Sequence, residues 1–392
     1  MKRIAVIFEG NINNRLGVFN AVLNRVHHLR RVADYDIDVH MIQVYDGAVM
    51  QRVRHSKAMP ERPSAIEVEG ETFQMHWFKR NWLDALGHRL LGKRPARLIA
   101  WLNELASGMG GYDLISAHDR MGGIVAQRAS KMHGIPHYIT WHGASIYTDP
   151  PRDPMLKEIT AELLHGAKDN FFVSHGLVEK AKNITTGFPA TVLFNGASKA
   201  FTRLSDDERS ALREEFGVTG RKVVAFVGRF EPVKNVTLLP EIFDAIGKKY
   251  EGDVAFWTMG TGYQHEEVRQ SMAEHGVECR MWGMQPLEMM PRLMNCVDVL
   301  ILPSLLEGLP LVTLEAMQCG ANVVASDVVG TAEGIGRENA IALGDGFIER
   351  LTDRAVEMLQ GKVQQSLPPE ISWEATAIKE NKIYLDAMSN QA

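Results

Sequence analysis

The chain has 392 residues, 45% of them hydrophobic, which is larger than one hydrophobic core usually becomes and predicts two domains. No apolar run is long enough for a transmembrane helix and no small-residue cleavage site follows the N-terminus, so we expect a cytoplasmic protein. The net charge of −5 is unevenly spread, since residues 1–199 carry 25 Lys and Arg against 19 Asp and Glu, whereas residues 200–392 carry 18 against 29.

Strand-like and helix-like segments alternate along the first half. Short apolar runs predict strands at residues 4–8, 38–45, 114–117 and 137–140. A helix is predicted near residues 17–31. This alternation is typical of an α/β domain built on a doubly wound parallel sheet. Because Asp34, Asp36 and Asp38 lie between the helix and the second strand, we interpret them as a solvated turn and not as metal ligands.

A basic segment follows at residues 79–97, KRNWLDALGHRLLGKRPAR. Six basic residues and one acid surround apolar residues at helical spacing, which predicts a basic amphipathic helix from Lys79 to Arg97. Such a helix can lie on an anionic membrane surface. It can equally pack its apolar stripe on the domain core and leave the basic residues in water, so both interpretations stay open.

Two histidines follow predicted strands of the first half. His118 follows YDLISA and His142 follows HYITW. Ligands of open parallel sheets bind outside the carboxyl ends of the strands, so both are candidate site residues, although a single His there is commonly only a hydrogen-bonded loop residue. The loop after the first strand, residues 9–17, has the same position in its own unit and contributes Asn14 and Arg15.

The second half begins with a polar, charged stretch from residue 205 and then the apolar strand KVVAFV at residues 222–227. The next residues are GRFEPVKN, which place Arg229 and Lys234 just beyond the end of that strand. Two cations at this position are suited to a leaving diphosphate. Charged surface loops are common, so this motif alone is a weak signal.

The most informative stretch is residues 297–320, VDVLILPSLLEGLPLVTLEAMQCG. It predicts a buried strand at residues 299–302, a tight loop and a helix whose first turn offers unpaired N–H groups to an anion. Glu307 precedes that turn and Glu315 lies inside the helix. A carboxylate beside a phosphate site is explained if it accepts hydrogen bonds from sugar hydroxyls. The alternative is that Glu307 caps the helix and Glu315 is solvated.

With these two glutamates the chain resembles the retaining glycosyltransferases of the Glu-x7-Glu family (glycosyltransferase group 1, family four). The resemblance implies a GT-B fold, in which two Rossmann-like doubly wound domains face each other across a cleft. It places the first domain at residues 1–204, with a C-terminal crossover helix at about 372–392, and the nucleotide-sugar domain at residues 205–371.

The resemblance also implies roles for individual residues. Glu307 would contact the donor sugar and Glu315 the ribose, while Arg229 and Lys234 would hold the diphosphate. His142, in a threonine-x-histidine-glycine element, would reach the donor sugar. The remaining donor-binding candidates are Gly17, Gly260, Gly283, Met284, Gly308, Leu309, Pro310, Leu311 and Val312. The acceptor-side candidates are His118, Asn14 and Arg15.

Two positions depart from the family pattern. Many relatives carry Gly-Gly in the first loop, where this chain has Leu16-Gly17, so close backbone approach to phosphate remains possible only at Gly17. The family often has Lys-Gly where this chain has Lys234-Asn235, which leaves the cation in place.

The expected activity is transfer of a sugar from a UDP- or GDP-sugar to a glycan or lipid-linked acceptor in cell-surface polysaccharide synthesis, with retention of anomeric configuration. We expect no metal, no cofactor and no nucleic-acid partner, and a location in the cytoplasm or on the inner face of the membrane. Two alternatives remain: transfer to a small soluble acceptor, and a non-catalytic nucleotide-sugar-binding protein.

Overall fold

The structure is a computed structural model that describes residues 1–12, 17–54, 61–82 and 95–389. The chain forms two compact units, Met1–Leu193 with Trp373–Ala392, and Phe194–Ser372. Residues 194–204, which the sequence analysis assigned to the first domain, therefore group with the second unit. None of the helices in the described ranges combines the length and the hydropathy that a membrane span needs.

The first unit is an eight-stranded sheet with helical connections. Its strands are β1 (Lys2–Glu9), β2 (Tyr35–Asp46), β3 (Ala65–Val68), β4 (Glu71–Arg80), β5 (Leu114–His118), β6 (His137–Trp141), β7 (Asp169–Phe172) and β8 (Ala190–Val192). Its helices before the second unit are α1 (Val18–Val32), α2 (Ala48–Arg54), α3 (Ala96–Ser107), α4 (Asp119–His133), α5 (Ala144–Tyr147), α6 (Pro154–Gly166) and α7 (His175–Lys182). The strand order is β3-β4-β2-β1-β5-β6-β7-β8, and among these described strands only β3 and β4 pair antiparallel.

The second unit is a six-stranded parallel sheet. Its strands are β9 (Lys222–Val227), β10 (Val254–Met259), β11 (Cys279–Met281), β12 (Val299–Leu302), β13 (Asn322–Ser326) and β14 (Ala340–Ile341). Its helices are α8 (Asp206–Glu215), α9 (Leu239–Lys249), α10 (His265–Glu274), α11 (Met289–Met294), α12 (Leu311–Gln318), α13 (Thr331–Ile335) and α14 (Phe347–Leu359). Short 3-10 turns cover Pro232–Lys234, Val236–Leu238 and Arg337–Asn339.

The strand order in each sheet decides where ligands are expected. In the second unit the order is β11-β10-β9-β12-β13-β14, so the chain moves outward from β9 in one direction and from β12 in the other. In the first unit β1 and β5 are neighbours in the same way. Ligands of open α/β sheets bind at such switch points, outside the carboxyl ends of the strands. The loops after β9 and β12 carry GRFEPVKN and EGLPL, so both sequence motifs lie at one switch point.

The central strands form because their residues are apolar without interruption. All four residues of β12 are buried, as expected for a parallel strand covered on both faces. Helix α8, the first helix of the second unit, begins with a capping box, in which the side chains of Ser205 and Glu208 each accept a hydrogen bond from the backbone N–H of the other residue. Strands β9 and β12 have the bounds predicted from their apolar residues, 222–227 and 299–302.

The last helix, α15 (Trp373–Ser389), completes the core of the first unit. Arg25 of α1 donates from Nε to Glu380 Oε2 at 2.5 Å, and both side chains are almost fully buried. Tyr384, one turn later, donates to the other oxygen of Glu380 at 2.5 Å and lies 2.8 Å from the Ser116 hydroxyl on β5. A buried polar network therefore attaches this C-terminal helix to the first unit, which is otherwise formed by residues 1–193.

Two predictions in the first unit are wrong in part. Asp36 and Asp38 are not in a solvated turn, because they belong to β2 and both accept hydrogen bonds from Arg3. The predicted basic helix does not start at Lys79, which lies in β4 because the alternating pattern of that strand continues to Arg80. Arg97 belongs to the separate helix α3, and residues 83–94, the middle of the predicted helix, lie outside the described residues.

Candidate active site

The centre of the candidate site is a hydrogen bond between the two motifs of the second unit. Lys234 Nζ donates to Glu307 Oε1 at 2.6 Å, and the two side chains are 19% and 10% exposed. The loops are also joined by their backbones, since the Leu305 N–H donates to the Val233 carbonyl at 2.8 Å. Both residues were predicted to belong to one site, but nothing in the sequence indicates that they contact each other.

The backbone at residue 235 explains the departure from Lys-Gly. Asn235 has φ 51° and ψ 37°, the left-handed conformation, immediately after the 3-10 turn that ends at Lys234. Glycine adopts this conformation without strain, and asparagine is among the few other residues that tolerate it. The turn that presents Lys234 is therefore kept, although the residue type differs.

Arg229 is the second predicted cation, and it lies on the same loop. Its Nη1 donates to Glu231 Oε1 at 2.9 Å, and about half of its side chain is exposed. Within the described residues no hydrogen bond or ion pair joins Arg229 to Lys234 or Glu307. The structure thus places Arg229 two residues after β9 with its guanidinium held by a carboxylate of its own loop.

Helix α12 supplies the predicted anion-binding N–H groups. It begins at Leu311 after Pro310, which has no N–H, and no side chain caps it. The first-turn N–H groups of Leu311 and Val312 have no partner inside the helix. Thr313 folds back on Pro310, with its hydroxyl 2.7 Å from the Pro310 carbonyl. Leu309, another predicted donor-binding residue, is buried, with 4% of its surface exposed.

Glu315 lies on α12 and differs from Glu307, whose carboxylate is bonded to Lys234. No side chain in the described ranges forms a hydrogen bond or an ion pair with its carboxyl group, and the residue as a whole is partly exposed. Burial raises the pKa of Glu315 to about 7. A carboxyl held in this way is suited to accept hydroxyl donors from a ligand.

Two of the glycines predicted to bind the donor, Gly260 and Gly283, join neighbouring loops. Gly260 has φ 123° and donates its N–H to the Gly283 carbonyl at 2.8 Å. A Cβ atom on Gly260 would lie 2.0 Å from the Gly228 carbonyl oxygen, so only glycine fits beside the loop of Arg229. Met284 is 56% exposed next to Gly283, which has φ 67°.

In the first unit, His118 and His142 are directly bonded. His118 Nδ1 lies 2.9 Å from His142 Nε2, and the rings are stacked with centroids 5.2 Å apart. Burial is the main cause that lowers both pKa values, that of His142 to about 3, and the charge of Arg25 lowers them further. Both rings are therefore neutral at pH 7, with one nitrogen of the contact donating and the other accepting.

Asp119 is a candidate that sequence analysis missed. It follows His118 directly and has φ 53°, a left-handed conformation. Its carboxylate accepts hydrogen bonds from the backbone N–H of His142 at 3.2 Å and from the Ser145 hydroxyl, and burial raises its pKa to about 6. Its position directly after His118, at the end of a predicted strand, could have identified it as a candidate. Its contact with His142 could not be predicted, because that contact joins the ends of two different strands.

Three further predicted residues lie in the first loop. Gly17 precedes α1 with φ 59°, and a Cβ atom placed there would have open space around it. The positive φ therefore accounts for glycine at this position, with no crowding involved. Asn14 and Arg15 lie outside the described residues.

The chain is similar to known glycosyltransferases in sequence. Residues 221–361 match the family model for glycosyl transferases group 1. The D-inositol 3-phosphate glycosyltransferase of Corynebacterium jeikeium is 25% identical over 303 residues, 70% of this chain and 72% of that protein. TuaC of Bacillus subtilis, named for teichuronic acid biosynthesis, is 26% identical over 233 residues, 59% of this chain and 57% of its own length.

Solved structures with the same arrangement also exist. The Anabaena protein HepE in complex with UDP covers 100% of this chain with a TM-score of 0.70 and 18% identity. The sucrose-phosphate synthase of Thermosynechococcus elongatus likewise covers 100% with a TM-score of 0.70 and 18% identity. At this identity the likeness establishes the fold, which is GT-B with two Rossmann-like units.

Proposed function

We propose that this chain, whose residues 221–361 match the family model for glycosyl transferases group 1, is a retaining glycosyltransferase that moves a sugar from a UDP- or GDP-sugar to a glycan or glycolipid acceptor. The observation that carries the proposal is the bonded pair of Lys234 and Glu307 at the switch point, with Glu315 on the next helix. A cation for phosphate and two carboxylates for hydroxyls are the groups that a nucleotide sugar requires.

In the proposed reaction the bond between the anomeric carbon and the diphosphate oxygen breaks, and its electron pair goes to the diphosphate. Lys234, Arg229 and the N–H groups of Leu311 and Val312 stabilise that negative charge, so they bind the transition state more strongly than the ground state. The acceptor oxygen forms the new bond, and its proton passes to the leaving phosphate. Glu307 binds the sugar and Glu315 the ribose, so no side chain acts as nucleophile.

The neutral histidines fit this chemistry. A breaking glycosidic bond leaves positive charge on the sugar ring, which an imidazolium would oppose. Because the pKa of His142 is lowered to about 3, its ring stays uncharged over the whole physiological range. If His142 contacts the donor sugar, as the resemblance implies, it does so as a neutral hydrogen-bonding group.

Loss of either cation tests the proposal. Lys234→Ala and Arg229→Ala should each lower turnover by an amount equivalent to about 3–4 kcal/mol of lost stabilisation, on the order of a hundred- to a thousandfold. Released nucleoside diphosphate is measured over a panel of UDP- and GDP-sugars and acceptors. Lys248→Ala is the matched control, because Lys248 is an exposed lysine of the same unit paired with Asp244. Near-wild-type rates in both variants would contradict the assignment.

The acceptor is proposed from the relatives. The name of TuaC supports cell-surface polysaccharide synthesis. The name of the Corynebacterium jeikeium relative supports the second candidate function, transfer to a small phosphorylated acceptor. The same assay, with a lipid-linked glycan and with inositol phosphates as acceptors, distinguishes the two. A chain that binds nucleotide sugars and transfers to none would be the non-catalytic alternative.

A further inference from the structure

The two groups that the proposed function assigns to different parts of the donor are bonded to each other. Lys234 is assigned to the diphosphate and Glu307 to the sugar, yet their charged atoms are 2.6 Å apart. Both side chains are largely buried, so solvent screens the contact only weakly. Any diphosphate oxygen that reaches the Lys234 ammonium therefore comes within a few ångströms of the Glu307 carboxylate.

We infer that Glu307 makes the site selective for sugar-loaded nucleotide over the nucleoside diphosphate that remains after transfer. The inference rests on the proposed function. A diphosphate without a sugar brings negative charge against Glu307 and must compete with it for Lys234. A nucleotide sugar places hydroxyl donors on Glu307, which replace Lys234 as its partner and leave the ammonium to the phosphate.

The lysine has three N–H donors, so it can bond a carboxylate and a phosphate together. The Glu307 carboxylate and the phosphate therefore oppose each other through their like charges, and not because Lys234 has too few N–H donors. Two anions about 5 Å apart repel each other measurably even at the intermediate dielectric of a partly buried site. Sugar hydroxyls offset that repulsion because their protons point at the carboxylate. Once the sugar has left, the repulsion returns and favours release of the product.

The inference predicts opposite effects of one substitution on two ligands. Glu307→Gln keeps the shape and an acceptor oxygen but removes the charge. It should bind UDP roughly three- to tenfold more tightly than wild type, because the repulsion is lost. It should bind UDP-glucose about tenfold more weakly, because a charge-assisted bond to the hydroxyls is lost. Calorimetry measures both ligands, with GDP and GDP-mannose run in parallel.

Glu231→Gln is the matched control. It removes the same charge from the neighbouring loop, where Glu231 holds Arg229 at 2.9 Å and not Lys234. Weaker binding of UDP-glucose should occur in Glu307→Gln and not in Glu231→Gln, and an equal loss in both variants would contradict the inference. Thermal melting checks the fold, and Glu307→Ser repeats the test if the glutamine variant does not fold.

The measurements distinguish a failure of the proposed function from a failure of the selectivity assigned to Glu307. If wild type binds neither nucleotide pair, the proposed function is wrong. If wild type binds them and Glu307→Gln changes both affinities in the same direction, or leaves UDP binding unchanged, the selectivity assigned to Glu307 is wrong while the function stands.

Discussion

At the scale of single residues, we expect nucleotide binding to be coupled to the release of a proton from Glu315. Its pKa of about 7 means that the folded protein holds a proton which the unfolded chain releases near the usual glutamate pKa of 4.5. Its contribution to stability is therefore complete below about pH 4.5 and is lost as the pH rises through about 7. Ribose hydroxyls favour the ionised form, so nucleotide binding should release this proton.

We therefore expect the affinity for UDP to rise with pH, by up to about tenfold per unit, and to level off above about pH 7. Calorimetry between about pH 5.5 and 8, in buffers of different ionisation enthalpy, measures both the affinity and the proton release. Glu315→Gln reports the titration of the nucleotide alone and serves as the control. An identical pH dependence in this variant would show that Glu315 does not face the ligand.

At the scale of elements, α15 is attached to the first unit through a buried ion pair. Glu380→Ala leaves the Arg25 guanidinium buried without its counter-charge, so we expect a loss of about 3–5 kcal/mol in the unfolding free energy of this unit. The matched variant replaces both charges, Arg25→Met with Glu380→Leu. It should recover most of that loss, because no unpaired charge remains, and the Tyr384 hydroxyl keeps Ser116 as a partner.

Denaturant unfolding followed by circular dichroism compares the two variants. A double variant as unstable as Glu380→Ala would mean that packing of the side chains, and not the compensation of charge, dominates the attachment of α15. The comparison is informative because the two residues are 355 positions apart and meet only in the folded unit.

At the scale of the whole molecule, charge divides the chain into a basic first half and an acidic second half, at +6 and −11. We propose that the segment from Lys79 to Arg97 contacts an anionic membrane. Arg97 is excluded from the test, because its guanidinium lies over the Phe78 ring, 6.0 Å from the centroid. Changing Arg89, Lys93 and Arg94 to Ser should weaken binding to anionic vesicles about a hundredfold, at about 1 kcal/mol for each charge.

Co-sedimentation with anionic and with neutral vesicles, at low and high salt, measures this binding. The matched control changes three exposed lysines elsewhere in the first unit, Lys131, Lys157 and Lys168, to Ser. Equal losses in both triple variants would indicate a general effect of net charge. No binding of wild type at low salt would favour the soluble acceptor.

The sequence by itself determined the parts of this protein that depend on local pattern. Short apolar runs predicted β12 and, after its first residue Lys222, β9, and the spacing of Glu307 and Glu315 identified the loop and helix that carry them. Local pattern was misleading at Lys79, where a basic amphipathic period overlaps the end of strand β4.

Only the tertiary structure decided which of these parts meet. The contacts of Lys234 with Glu307, of Asp119 with the N–H of His142, and of Arg25 with Glu380 all join residues distant in sequence. Strand order determines the first two contacts, and the docking of α15 determines the third. Neither the strand order nor the docking can be predicted from the hydrophobic pattern of a single segment. The protonation states of His142 and Glu315 belong to the same class, because burial is a property of the packed unit and shifts a pKa only after folding.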